Sequence, residues 1–477
     1  MNAIIGRNRE KELLTKYLDS DKAEFVIIYG RRRVGKTFLI REFFDNKFDF
    51  YFSGVENSTK KEQLENFNIA VNKHANTFFP EVKSWNRAFD QLRQMLENKK
   101  KKGKKIVFID ELPWLDTKGS KFLSAFEYWW NTWASAQKDL FLIGCGSATS
   151  WIIKHIIKDK GGLHNRVTRQ MSISPFTLAE CKEYSKQKKL ALDNQTIAEY
   201  YMIIGGVAFY WEQIDKTMGL PQNIDEMFFK KDSLLHGEFK QIYKSLFTNS
   251  ENYIKIITTL SKKRMGLSRS DISDLSGVPN GGNLTKILEE LDQCGFIRAY
   301  NAFGKKTKDK LYQLVDFFSL FYLTFIENNT DENFWTNNFD SSLVTNWQGY
   351  SFEQICLWHI PQIKQKLGIA GVSTTYSSWR LIDEETKKLT AQIDLVIDRN
   401  DRIINICEMK YSDNEYTITK EYNEKLRQRK AIFKDNIKTS KTVHTTMVTT
   451  YGVKRNTYWN NIQSEVTLSD LFVLHLV

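Results

Sequence analysis

Cysteine, histidine and proline are all scarce in this chain of 477 residues, and each shortage closes off a class of protein. The five cysteines (Cys145, Cys181, Cys294, Cys356, Cys407) stand far apart, with no CxxC pair and an odd total. That spacing argues against a disulfide frame and fits reduced, buried thiols in a cytoplasmic protein. The seven histidines form no ligand-spaced pair, so a zinc site is not expected. Prolines number six, and no segment is polar enough over its length to read as disordered. No apolar run approaches the ~20 residues needed to span a bilayer. Residues 1–7 lack the apolar stretch of a secretion signal, so no membrane association is expected. What is plentiful is length and positive charge. A chain this long exceeds one ordinary core and implies two to four domains. The formal charge of +12 points to a polyanionic partner, nucleic acid first, although many lysine-rich proteins bind none.

The richest local signal is Gly30-Arg31-Arg32-Arg33-Val34-Gly35-Lys36-Thr37, which follows the apolar run Phe25-Val26-Ile27-Ile28-Tyr29. This is a full GxxxxGK[ST] pattern between a buried strand and a helix. Glycine lets the backbone wrap phosphate oxygens, and the loop N–H groups point inward at them. Lys36 reaches the β- and γ-phosphates of a nucleotide, and the Thr37 hydroxyl holds one position on Mg²⁺. The expected cofactors are therefore ATP and Mg²⁺, with residues 30–37 as the cradle.

Further along, Ile106-Val107-Phe108-Ile109 ends in Asp110-Glu111. A buried strand of this kind delivers Asp110 to the metal shell at its carboxyl end, and Glu111 is placed to polarise an attacking water. The strand Leu140-Phe141-Leu142-Ile143-Gly144 leads to Ser147 and Thr149. Ser147 is the first candidate for contact with the γ-phosphate or the water, with Thr149 second. Either one is equally readable as a helix N-cap. Arg166 is a candidate arginine finger, in cis or from a neighbouring subunit, or else an ordinary surface arginine. The lysine-rich stretch 99–105 reads as a solvated loop, and Tyr128, Trp129, Trp130 and Trp133 read as core.

Gly6-Arg7…Glu10, GRRRVGKT, IVFIDE, LFLIGCGS, Asn165-Arg166 and Ile204-Gly205-Gly206-Val207, in that order, resemble the archaeal-type P-loop ATPases near the AAA+ and STAND groups. The likeness covers roughly residues 1–250. Where that family commonly has Gly-Arg, this chain has Asn165-Arg166. The resemblance implies an ATPase core with a helical lid and directs attention to a C-terminal partner domain.

From residue 253 the pattern becomes helix, turn, helix and β-hairpin, with Lys305, Lys306, Lys308 and Lys310 at the hairpin tip. This is a winged-helix reading in which Asn283, Thr285 and Lys286 face a major groove and the tip lysines face phosphates. Protein contact or a structural lid are the other uses of such a module.

The last region holds a second constellation. Residues 391–398 carry Asp394, turn at 399–402 and return through 403–410 with Glu408 and Lys410. In an antiparallel pair Asp394 neighbours Glu408, and strand alternation puts Glu408 and Lys410 on one face. Two carboxylates can hold Mg²⁺ while the lysine orients water at a phosphodiester. The arrangement resembles the PD-(D/E)xK nuclease core, with Glu353 on an upstream helix as an added acid and residues 423–433, with Lys425, Gln428 and Arg429, as the helix such a fold places beside the site. A cross-strand salt bridge and an inactive nuclease fold are the competing readings.

The expected fold is therefore α/β: a P-loop parallel-sheet core at 1–190, a helical lid at 191–250, a winged helix at 251–314 and a restriction-endonuclease-like domain at 315–477. The expected function is ATP hydrolysis with nucleotide-controlled, Mg²⁺-dependent cleavage of DNA. The alternative is a non-cutting ATP-driven switch that binds DNA or protein. An arginine supplied in trans would require a homo-oligomer.

Overall fold

The structure is a computed structural model that describes residues 4–158, 166–247, 249–263, 265–304, 310–383 and 389–474. The chain divides into two compact units, Met1–Pro175 and Phe176–Val477.

The first unit is built on five parallel strands: β1 (Glu24–Tyr29), β2 (Phe50–Ser53), β3 (Lys105–Asp110), β4 (Leu140–Gly146) and β5 (Arg169–Ser172). Their order across the sheet is β2-β3-β4-β1-β5. The central strands β1, β3 and β4 read as nearly unbroken apolar runs because both their faces are covered. Phe25 and Ile27 pack on one side with Phe52, Val107 and Leu142. Val26 and Ile28 pack on the other with Phe108 and Ile143. The first face is closed by the helices Lys60–His74, Trp85–Asn98 and Phe122–Thr132, and the second by Asn8–Leu18 and Lys36–Phe43. Trp129 and Trp130 are core residues, whereas Tyr128 is exposed. The lysine loop is more tied down than its composition suggests. Lys99 donates to the Asp49 carbonyl and Lys101 to its carboxylate, each at 2.7 Å.

The second unit begins with helices Leu178–Lys188 and Asn194–Ile204, followed by the shorter helices Ala208–Trp211, Leu220–Ile224 and Glu238–Leu246. Gly206 lies so close to Phe176 that a Cβ there would meet the Phe176 carbonyl oxygen at 1.9 Å. Next come three helices, Ser250–Ser261, Arg269–Ser276 and Gly282–Gln293. The second starts on a capping box of Ser268 and Asp271 and ends on Gly277 at φ 71°. Strands β6 (Leu267–Ser268), β7 (Ile297–Asn301) and β8 (Lys310–Leu314) form an antiparallel sheet beside them in the order β6-β8-β7. The expected lysine tip at 305–308 lies outside the described residues; Lys310 opens β8.

The remaining strands are β9 (Thr374–Ile382), β10 (Leu389–Arg399), β11 (Ile403–Lys410), β12 (Thr442–Thr449) and β13 (Ser464–Thr467), ordered β13-β12-β11-β10-β9. The pairs from β9 to β11 are antiparallel, and those from β11 to β13 are parallel. A parallel step from β11 to β12 needs a crossover, which the helix Lys420–Ile437 supplies. That helix covers the face bearing Ile404 and Ile406, through Phe433. The helix Ser342–Trp358 packs on β11 as well.

Candidate functional site

In the first unit the strand order determines which side chains meet. Strands β3, β4 and β1 are neighbours, so their carboxyl ends present Asp110-Glu111, Ser147 and the loop after Tyr29 side by side. Gly30 opens the loop at φ 146°, where an added Cβ would lie 2.2 Å from the Ile173 carbonyl oxygen. Gly35 closes it at φ 89° and begins the helix Lys36–Phe43. Between them Arg31 and Val34 are buried, while Arg32 and Arg33 are half-buried. Lys36 is buried, and its Nζ donates to the carbonyls of Gly30 at 3.0 Å and Arg31 at 2.8 Å. The ammonium thus lies across the loop, where it can meet phosphate.

The Thr37 hydroxyl donates to Asp110 Oδ2 at 2.7 Å. A hydroxyl and a carboxylate in contact at a loop-and-strand junction are hard oxygen donors of the kind Mg²⁺ takes. The two residues therefore fit that ion. Glu111, in left-handed backbone (φ 48°), receives two groups of Ser147: the backbone N–H at 3.2 Å and the hydroxyl at 3.1 Å. Burial, and next the Asp110 charge, push the Glu111 carboxyl up, while Lys36 and the Ser147 bonds partly offset this. Thr149 heads a short helix behind Ala148, and neither Ser147 nor Thr149 caps it with its side chain. Arg166 is exposed in the turn before β5, and Asn165 lies outside the described residues.

Small residues in β4 let the segment after Glu111 lie close. A Cβ at Gly144 would meet Leu112 at 2.4 Å, and one at Gly146 would meet Pro113 at 2.6 Å. Sequence reasoning attached no role to Arg7 beyond its place in a motif. The structure shows it buried, donating to the Val34 carbonyl at 3.2 Å and the Ser174 carbonyl at 2.7 Å. It therefore ties the phosphate loop to the segment that follows β5. The available signal was the charged residue straight after Gly6 at the head of the motif.

In the second unit, Asn283 and Lys286 are exposed and Thr285 is half-buried on the helix Gly282–Gln293. The hairpin β10–β11 pairs Leu395 with Cys407, so the next step of the register sets Asp394 opposite Glu408. Asp394, Glu408, Lys410, Lys425, Gln428 and Arg429 line one cleft of about 470 Å³. Glu353 lines a smaller cavity that shares Asp394 and Gln392 with this cleft and also includes Arg298. Among the described residues, no group of three or more His, Cys, Asp and Glu side chains is assembled to hold a metal ion. Asp394 lines both spaces, and Glu353 is near enough to the Glu408–Lys410 pair to raise the Lys410 ammonium.

Glu408 is buried and engaged by Arg429, by Lys410 at 2.9 Å and by the Tyr422 hydroxyl at 2.6 Å. Burial alone would raise its carboxyl, but Lys410, Arg429 and the Tyr422 bond outweigh burial and hold it down. Burial, the largest single influence, lowers the Lys410 ammonium, but the charge and hydrogen bond of Glu408, with Tyr416 and Glu353 behind them, together raise it, so it stays charged. Asp394 accepts from Gln392, and burial followed by the Glu408 charge pushes its carboxyl up.

Residues 7–214 match the family described as an ATPase domain predominantly from Archaea. An uncharacterized protein of Methanocaldococcus jannaschii is 24% identical over 440 residues, covering 91% of this chain and 93% of that protein. An uncharacterized ATP-binding protein of the same organism is 49% identical over 44 residues, 9% of this chain and 75% of that protein. The solved Walker-type ATPase of Pyrococcus abyssi is similar at 18% identity and a TM-score of 0.48, over 67% of this chain and 96% of that one. With the phosphate loop, the Thr37–Asp110 contact and the family match in hand, the chain carries an archaeal-type P-loop ATPase domain, with a parallel-sheet core, that binds and hydrolyses ATP.

Proposed function

We propose that the chain is an ATP-driven switch whose second unit binds nucleic acid, DNA first, without cutting it. The observation that carries the reading is the assembly of Lys36, Thr37–Asp110 and Glu111–Ser147 at the ends of three neighbouring strands. In this reading residues 30–37 cradle the triphosphate, and Thr37 and Asp110 hold Mg²⁺, which neutralises charge on the phosphates. Glu111 orients the water, Ser147 fixes Glu111, and Arg166 is the arginine finger, supplied in cis or within a homo-oligomer in the cytoplasm. The proposed divisions are a core at 1–190, a lid at 191–250, a winged helix at 251–314 and a restriction-endonuclease-like domain at 315–477. The outward placement of Asn283 and Lys286 and the charge of +12 support contact with a polyanion.

One observation favours a second reading, Mg²⁺-dependent cleavage: Asp394, Glu408 and Lys410 share one cleft. The two readings separate in a single set of assays. ATP turnover should vanish in Lys36→Ala. Duplex DNA should bind with an affinity that falls ~10³–10⁵-fold between 50 and 200 mM salt if ~6–10 phosphates are touched. Circular and linear DNA should survive Mg²⁺ or Mn²⁺ with and without ATP. Cutting that disappears in Glu408→Ala would establish the cleavage reading. Binding insensitive to salt would sink the nucleic-acid reading.

A further inference from the structure

Glu408 sits at the centre of the C-terminal cleft, and its carboxylate is already occupied. Lys410 and Tyr422 both donate to Oε1, and Arg429 donates to Oε2. Two of these three partners are cations. The helix Lys420–Ile437 is responsible for the crowding: Tyr422, Lys425, Arg429 and Ile432 recur at intervals of three, four and three, which is one helical face. That face turns toward Glu408, with Lys425, Arg429 and Ile432 in the cleft wall. Counted by charge, the cleft holds Lys410, Lys425 and Arg429 against Asp394 and Glu408. The balance is positive. A divalent ion seeking Glu408 would have to displace a guanidinium and compete with the Lys410 ammonium. An anion would meet Lys425 and the outer face of Arg429 at the mouth, with Gln428 beside them as a neutral donor.

We infer that Arg429 holds the place at Glu408 that a metal ion would otherwise take, so that the cleft grips a phosphodiester backbone without a divalent cation. This rests on the reading that the second unit binds nucleic acid. The arrangement also explains why the carboxylates are kept. Glu408 orients Lys410 and Arg429 as a rigid pair of donors, and a planar guanidinium tied on one edge still presents its other N–H groups.

Two measurements on the full chain test it, both in the Asp110→Asn background so that the P-loop contributes no metal site. The first is Mn²⁺ binding, read by electron paramagnetic resonance. Wild-type Arg429 should give no bound Mn²⁺ in the cleft, Arg429→Ala should gain a site that is lost again with Glu408→Gln, and Arg429→Lys should gain none. Mn²⁺ bound with Arg429 present and abolished by Glu408→Gln overturns the inference; so does an Arg429→Ala protein, folded by circular dichroism, that gains no site. The second is anisotropy of a labelled 12-base-pair duplex in EDTA. Binding should persist, Lys425→Ala should lower the slope of log K against log salt by about 1, and Glu408→Gln, which unseats Lys410 and Arg429, should weaken binding. Binding that requires the divalent ion, or that is unchanged or tighter in Glu408→Gln, overturns the inference. Absence of duplex binding in every form and condition removes the nucleic-acid reading instead, and the Mn²⁺ result still decides what Arg429 does.

Discussion

Acid should loosen the second unit through one buried histidine. His359 is 1% exposed, at the end of the helix Ser342–Trp358. Its Nδ1 lies 2.7 Å from the Ile355 carbonyl, and its Nε2 receives the Leu178 backbone N–H at 3.1 Å. An Nε2 that accepts cannot carry a proton, so the ring is neutral with its hydrogen on Nδ1. Burial pushes the ring down to about 4 from an ordinary 6.5. The unfolded chain therefore binds more protons between those values, and its advantage grows as pH falls. The His359 contribution is fully present above pH 6.5 and is lost on the way down to pH 4. A gap of this size is worth about 3 kcal/mol in total, and about 2 kcal/mol of it is gone by pH 5. Gln in this position offers one donor and one acceptor but no titration. Denaturant unfolding of wild type and His359→Gln should therefore diverge with pH, with the second unit's transition assigned by hydrogen exchange in residues 178–188. The wild-type advantage should shrink by about 2 kcal/mol between pH 7 and pH 5. A difference that stays flat across that range would refute the neutral, buried imidazole and the anchoring of residue 178 that depends on it.

Gly30→Ala must move either Ile173 or the phosphate loop. Left-handed backbone and overpacking together predict a loss of about 2–5 kcal/mol, seen as a lower melting temperature and no uptake of a fluorescent ATP analogue; a folded, nucleotide-binding variant would contradict the 2.2 Å approach. Ser147→Ala removes the hydroxyl from Glu111 but keeps the backbone N–H. Glu111 should rise further, since a hydrogen bond to a charged group is worth about 1.5–3 kcal/mol, so the acidic limb of the ATP-turnover profile should move to higher pH while ATP affinity, which does not run through this bond, changes little. An unmoved profile would remove Ser147 from the site.

What could be read without coordinates was whatever is local along the chain. Gly30, Gly35, Lys36 and Thr37 act within a single turn, and their spacing is itself the geometry. Asp394, Glu408 and Lys410 were legible for a similar reason: a hairpin turn at residues 400–402 sets their register, and strand alternation does the rest. The partners of these groups were not legible, because each arrives through a long connection. Ser147 reaches Glu111 only because β4 inserts between β3 and β1, an order that strand sequence does not state. Arg7 reaches Val34 and Ser174 from the opposite end of the first unit. Arg429 lies on the helix that the sequence already sets beside the hairpin, but which of its side chains closes on Glu408 depends on how that crossover helix packs. Those second partners decide the chemistry. A carboxylate beside an aspartate and a lysine suggests a metal centre; the same carboxylate clamped by a guanidinium, an ammonium and a phenol is an anchor for cations that face outward. The nuclease-like pattern and the proposed phosphate-gripping cleft are therefore one set of residues, distinguished by a helix that brings Tyr422 and Arg429, two turns apart, onto Glu408.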